Sequence, residues 1–155
     1  MPQIFETSMR LPRPREEVFD FFADAGNLQR ITPPELHFRV LTEQPLRIAE
    51  GTLIDYRLRL LGVSFSWQTC IDRWDPPLCF VDRQVRGPYR RWIHTHTFVA
   101  EGDETIINDR VEYLLPLPPF GRIVSPLVKW QLARIFAYRQ RAIRKLLAPD
   151  RFPGD

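Results

Sequence analysis

His94 and His96 stand two residues apart in WIHTHTF, so on an extended chain both imidazoles project from one face. Asp109 lies in the following segment, IINDRVEYL, on the face that carries Ile107, Val111 and Tyr113. If Gly102-Asp103 is the turn between the two segments, residue 100 pairs with 105 and His96 falls directly opposite Asp109. A carboxylate against an imidazole fixes its tautomer and raises its basicity, which makes His96 and Asp109 the candidate catalytic residues as a general base. The same face could hold a metal, with two imidazoles and one carboxylate as ligands. His-x-His is a common accident of sequence, however, and the reading assigns no metal and no cofactor. No serine or cysteine is placed to act as a nucleophile beside the pair, which argues against hydrolysis by a triad.

A second charged group stands where an apolar one is expected. From Phe120 to Leu147 the residues Val124, Leu127, Val128, Leu132, Ile135, Phe136, Ile143, Leu146 and Leu147 recur at three- and four-residue steps, the pattern of a helix with one apolar side. Arg139 falls inside that stripe, while Lys129, Arg134, Gln140, Arg141, Arg144 and Lys145 take the flanks and back. A guanidinium turned towards a core needs a partner, because burying it unpaired is very costly. Either it pairs with Asp82 or Asp109 and ties sheet to helix, or it anchors a ligand.

The elements that must position these groups are marked by turn chemistry. Gln3 to Leu11 alternates as a strand, ended by Pro12 and Pro14. Two short helices follow, one opened by Pro14 with Glu16 and Glu17 in its first turn, the other running through Arg30 with Asp24 as its cap. Six strands are then expected over residues 36–42, 52–61, 63–74, 79–86, 89–100 and 104–115, separated by Glu50-Gly51, Leu61-Gly62, Asp75-Pro76-Pro77, Gly87-Pro88 and Gly102-Asp103. With residue 60 opposite 63, Ile54, Tyr56 and Leu58 share a face with Phe65, Trp67, Thr69 and Ile71. With residue 74 opposite 79, Phe80, Asp82, Gln84 and Arg86 point inward. The fold class is therefore α+β: a seven-stranded antiparallel sheet wrapped around a long C-terminal helix, with two short helices between strands 1 and 2. Residues 1–147 form one domain and 148–155 a frayed, disordered tail.

The 155 residues are 44% hydrophobic and 26% charged, enough for a single core. The formal charge of +3 is spread along the chain and gathered into no run, so nucleic acid is not an expected partner. No stretch approaches a signal peptide or a membrane span, and a cytoplasmic protein with no integral membrane association is expected. Cys70 and Cys79 lie too far apart along the expected hairpin for a disulfide, so free thiols are expected.

The segments PREEVFDFFADAGNLQRITPP, GTLIDYRLRL, FVDRQVRGPYRRWIHTHTF, DRVEYLLPLPPFG and RIFAYRQRA run almost end to end, and through them the chain resembles the SRPBCC superfamily of START-like and pollen-allergen-like proteins. Within it, the chain is similar to bacterial polyketide cyclase/dehydrase or ligand-binding SRPBCC proteins. The resemblance implies the helix-grip fold, with a cavity gripped by the last helix and entered through loops at one end. It also supports an inward Asp82 and Gln84, and supplies no catalytic set.

A sealed core would not carry so many ionisable groups, whereas a cavity between sheet and helix accounts for them. The expected function is binding of a small hydrophobic or amphipathic molecule of lipid, polyketide or aromatic-acid type. Its ligand-binding residues would be Tyr56, Asp82, Gln84, Trp92, His94, His96, Asp109, Tyr113 and Arg139. One alternative is a cyclase or dehydratase using His96–Asp109 as base. Another is a chaperone-regulating or macromolecule-contacting module working through its outer face or the Pro-rich loops 31–34 and 115–121, which predicts a collapsed cavity and a role for Phe120. The expected oligomeric state is a monomer or weak homodimer.

Overall fold

The computed structural model describes residues 1–117 and 119–153, with Phe120 described by its backbone. Seven strands form one antiparallel sheet: β1 (Gln3–Leu11), β2 (Arg39–Val40), β3 (Leu53–Leu60), β4 (Val63–Asp75), β5 (Cys79–Arg86), β6 (Arg91–Glu101) and β7 (Glu104–Leu114). Their order across the sheet is β1-β7-β6-β5-β4-β3-β2. Two short helices, α1 (Arg15–Phe22) and α2 (Asn27–Arg30), separate β1 from β2, and α3 (Phe120–Leu147) crosses the inner face. This is the helix-grip arrangement. Among the described residues no helix is long and apolar enough to cross a membrane.

The hairpins set the inner face. Leu61 and Gly62 both have positive φ, 52° and 80°, a combination that matches the twist of flanking strands and locks Leu60 opposite Val63. Ile54, Leu58, Trp67, Thr69 and Ile71 are buried as a result. Across Gly102-Asp103 the register is the expected one, with Ala100 opposite Thr105 and His96 opposite Asp109. Phe19, Phe22, Phe80 and Phe98 pack with Ile143 at one end of α3, and Leu58, Trp67 and Tyr113 pack with Val128, Leu132 and Phe136 further along it.

Five details depart from expectation. The strand expected over 36–42 shrinks to Arg39–Val40, because Pro34 starts a 3₁₀ turn over Pro34–Leu36 and His37 sits in the left-handed region at φ 45°. Gly26, not Asp24, is the cap of α2; the Asp24 carboxylate accepts from the Gly26 amide at 2.9 Å one step earlier. In the β4–β5 hairpin Asp75, not Trp74, faces Cys79, and irregularities beyond Ile71 and Gln68 carry Arg86 to an exposed position. The apolar stripe of α3 is not buried throughout: Val124 and Leu127 are 40% and 46% exposed, beside Ile123 at 74% and Trp130 at 57%. In these first turns Ser125 reaches β1 through Gln3, while Ile123, Val124 and Leu127 stay exposed. Finally, the expected tail is docked, with Ala148 buried in the core, Phe152 packed on it and the Arg144 guanidinium over the Phe152 ring. Gly154 and Asp155 of that tail, and Pro118 of the 115–121 loop, lie outside the described residues. Cys70 and Cys79 are free thiols.

Candidate ligand-binding site

Between the sheet and α3 lies a cavity of about 150 Å³. Its wall is mostly apolar, with Phe22, Ile54, Leu58, Trp67, Phe80, Leu132 and Phe136 among the residues that form it. Six of the nine residues nominated from sequence reach it: Tyr56 on β3, Asp82 on β5, Trp92, His94 and His96 on β6, and Arg139 on α3.

The polar wall is a cluster of two histidines between two carboxylates. Asp82 pairs with His94 across β5–β6, while Asp109 pairs with His96 across β6–β7, so both aspartates flank the central strand. His94 Nε2 lies 2.8 Å from Asp109 Oδ1, and His96 Nε2 lies 2.8 Å from Asp82 Oδ2. His96 Nδ1 is 3.0 Å from the same Asp109 oxygen, although off the line of a good hydrogen bond. The two imidazoles lie 3.6 Å apart, and Phe80 stacks on His96 at 4.0 Å and 16°. His96 is 2% and Asp109 6% exposed, so water screens these charges poorly.

Burial would raise the Asp109 pKa, but the two histidine contacts hold it well below the usual carboxylate range. Burial acts against the charge of Asp82 too, and His96, then His94 and Arg139, hold that carboxyl below its ordinary value. Burial and the neighbouring His96 push His94 down. For His96 burial is outweighed by Asp109 and Asp82 together, and its pKa rises. The two carboxylates thus favour the protonated form of His96, while burial favours the neutral form of His94. Burial, followed by the nearby Asp82 charge, pushes the Tyr56 phenol up, so it stays protonated and donates to Thr69 Oγ1 at 2.7 Å.

Arg139 reaches the cavity from the opposite wall. Its guanidinium carbon lies 5.4 Å from the Phe22 ring centroid and 5.8 Å from that of Phe136. Its Nε and Nη2 atoms are buried without a hydrogen-bond partner, and among the described residues it makes no ion pair. The expected ion pair between Arg139 and Asp82 or Asp109 is therefore not formed, because both carboxylates are taken up by the histidines.

Three nominated residues lie elsewhere. Asp109 stands behind the histidines and supports them without lining the cavity. Tyr113 donates to Gln3 Oε1 at 3.0 Å, and Ser125 donates to the same oxygen at 2.8 Å, so this group ties β1, β7 and α3 together. Gln84 clasps the turn before β6: its Nε2 donates to the Tyr89 carbonyl at 2.7 Å and its Oε1 accepts from the Tyr89 amide at 3.1 Å. A Cβ on Gly87 would meet Gln84 Oε1 at 2.5 Å, so the clasp needs glycine there. Gln84→Ala should cost about 1–2 kcal/mol of stability, read by urea unfolding, because two turn groups lose their partner. The sequence reading placed Thr69 and Phe80 on the inner face without nominating them. Thr69, which also accepts from Trp67 Nε1 at 3.2 Å, is the one that a search for inward hydroxyls would have found.

The open antiparallel sheet, the gripping helix and the cavity between them define a helix-grip protein. The family model described as "Polyketide cyclase / dehydrase and lipid transport" matches residues 11–143, and the chain belongs to that family. No curated protein matches the sequence. Among solved structures, the Zhui aromatase/cyclase from Streptomyces sp. R1128 superposes with a TM-score of 0.75 at 15% identity, covering 96% of this chain and 98% of that one. TTHA0849 from Thermus thermophilus gives 0.70 at 19% identity, covering 94% and 100%. Norcoclaurine synthase from Thalictrum flavum, in complex with dopamine and hydroxybenzaldehyde, gives 0.70 at 16% identity, covering 96% and 88%. At these identities the likeness is one of fold.

Proposed function

We propose that the protein binds a small, largely apolar ring compound carrying one acidic or oxyanion group, seated between the sheet and α3. The observation that carries this reading is Arg139, which lines the cavity and whose buried Nε and Nη2 have no hydrogen-bond partner among the described residues. A buried guanidinium without acceptors is costly, and an anionic oxygen supplied by a ligand would meet it with charge-assisted hydrogen bonds. A cavity of about 150 Å³ is the size that holds one benzene ring in another protein. The aromatic residues Phe22, Tyr56, Trp67 and Phe80 suit the faces of such a ring. The free thiols Cys70 and Cys79 agree with a reducing compartment such as the cytoplasm.

The cyclase or dehydratase alternative meets an obstacle in His96. Its two ring nitrogens lie 2.8 Å and 3.0 Å from carboxylate oxygens, so no lone pair is turned to a substrate. The macromolecule-contacting alternative expects a collapsed cavity, and the open one favours a ligand.

Calorimetric titration with benzoate and with toluene tests the reading. Benzoate should bind wild type and lose about tenfold or more in affinity in Arg139→Met, the worth of one or two charge-assisted hydrogen bonds. Toluene should bind both proteins alike. Equal benzoate affinities in the two proteins would remove the anchoring role.

A further inference from the structure

We infer that Asp82, His94 and His96 form a three-donor site for a divalent transition metal of the zinc or iron(II) class, with Asp109 holding the imidazoles from behind. The inference does not rest on the ligand reading above: it concerns a different wall of the cavity and a cation in place of an anion.

Convergence of donors comes first. One ligand atom from each of the three side chains falls within 4.8 Å of the other two. Asp82 Oδ2 is 2.8 Å from His96 Nε2 and 3.7 Å from His94 Nδ1. Donors about 2.0–2.1 Å from a shared ion stand roughly 3.0–3.4 Å apart, so the two Asp82 distances already bracket that spacing, and the imidazole donors, within 4.8 Å of each other, would close on an ion by turning towards it by up to about 1.4 Å.

The orientation of the rings is the second observation. Each imidazole turns one nitrogen to Asp109, His94 through Nε2 and His96 through Nδ1, and the other towards Asp82. A carboxylate behind a metal-binding histidine aims the ring and makes it a better donor, and here Asp109 Oδ1 is hydrogen-bonded to His94 and lies 3.0 Å from His96 Nδ1. Asp109 makes its hydrogen bond to His94 and leaves His96 Nδ1 beside it without one. Asp82 is then a second carboxylate on the cavity side whose hydrogen-bonded partner among the described residues is His96.

Placement in the fold is the third. The donors sit on adjacent central strands in fixed register, Asp82 opposite His94, which is the rigid support that a metal site needs. All three line the cavity, so the remaining coordination positions open towards it. Two imidazoles and a carboxylate with open positions on one side suit zinc, cobalt or iron(II) better than calcium or magnesium. The sequence reading took Asp109 as the carboxylate beside the two imidazoles and assigned no metal because His-x-His is a common accident; the carboxylate on the cavity side comes from β5 and is visible only in its pairing with β6.

The test is a titration of metal-free protein with Co(II), followed by visible absorption, and with Zn(II), followed by calorimetry. Wild type should take up about one equivalent, with ligand-field bands of imidazole–carboxylate coordination. Asp82→Asn and His96→Gln should each weaken binding by about 100-fold or more, and Asp109→Asn by about 10–100-fold. His37→Gln, which alters the exposed third histidine, should leave it unchanged. Because the wild-type titration stands alone, misfolding of a variant does not blur the result. A wild type that takes up no Co(II) or Zn(II), or binding that survives both donor substitutions, would overturn the inference. Benzoate binding to the metal-free protein is measured separately, so either reading can fail without the other.

Discussion

Replacing Asp109 with alanine is expected to lower stability by about 3–5 kcal/mol, since removing one member of a buried charged set leaves the others uncompensated. Asp109 Oδ1 is the contact shared by His94 at 2.8 Å and His96 at 3.0 Å. Without it the two rings face Asp82 alone, and His96 loses one of the two carboxylates that favour its protonated form. At about 2–4 °C per kcal/mol for a domain of this size, the melting midpoint should fall by roughly 10–15 °C. Asp109→Asn keeps the shape and one acceptor and should fall about half as far. Thermal melts followed by circular dichroism make the comparison. A loss below about 1 kcal/mol for the alanine variant would mean that water reaches the cluster and screens it.

A loss of similar size is expected at Phe80, for a different reason. Its ring stacks on His96 and packs against Trp74 at 5.3 Å and against Phe19 and Phe98 at 6.0 Å each. Phe80→Ala removes those contacts and leaves a void, which typically costs about 3–5 kcal/mol. The void adjoins the existing cavity, since Phe80 is part of its wall. Benzene should therefore recover part of the loss, about 1.4 kcal/mol at ten times its dissociation constant. Melting curves with and without benzene read this directly. A variant destabilised as expected yet indifferent to benzene would show that the neighbouring rings had closed over the space.

The inner face of the sheet was legible because its information is local. Ile54, Tyr56, Leu58, Trp67 and Thr69 alternate with polar neighbours, and the Leu61-Gly62 turn permits one register. The same holds for His94, His96 and Asp109 across Gly102-Asp103. The turn at Asp75 to Leu78 is less restrictive, and the β4–β5 pairing slips at two places. The inward positions of Asp82 and Gln84 were therefore foreseen, while their partners, His96 and the Tyr89 backbone, were not. On α3, periodicity identified the apolar side and the intrusion of Arg139. It could not reveal that Val124 and Leu127, at the start of that side, remain exposed.

By itself, then, the sequence determined the elements, their order, the inward face of most strands and the single cation on the gripping side of the helix. Alternation, helical period and turn chemistry act over a few neighbouring residues, so they can be read along one dimension. Only the tertiary structure decided that both carboxylates go to the histidines and that Arg139 Nε and Nη2 have no hydrogen-bond partner among the described residues. That choice depends on how two hairpins slip against each other and how far a long helix reaches across them. Distances between residues remote in the chain set it, and no local pattern encodes them.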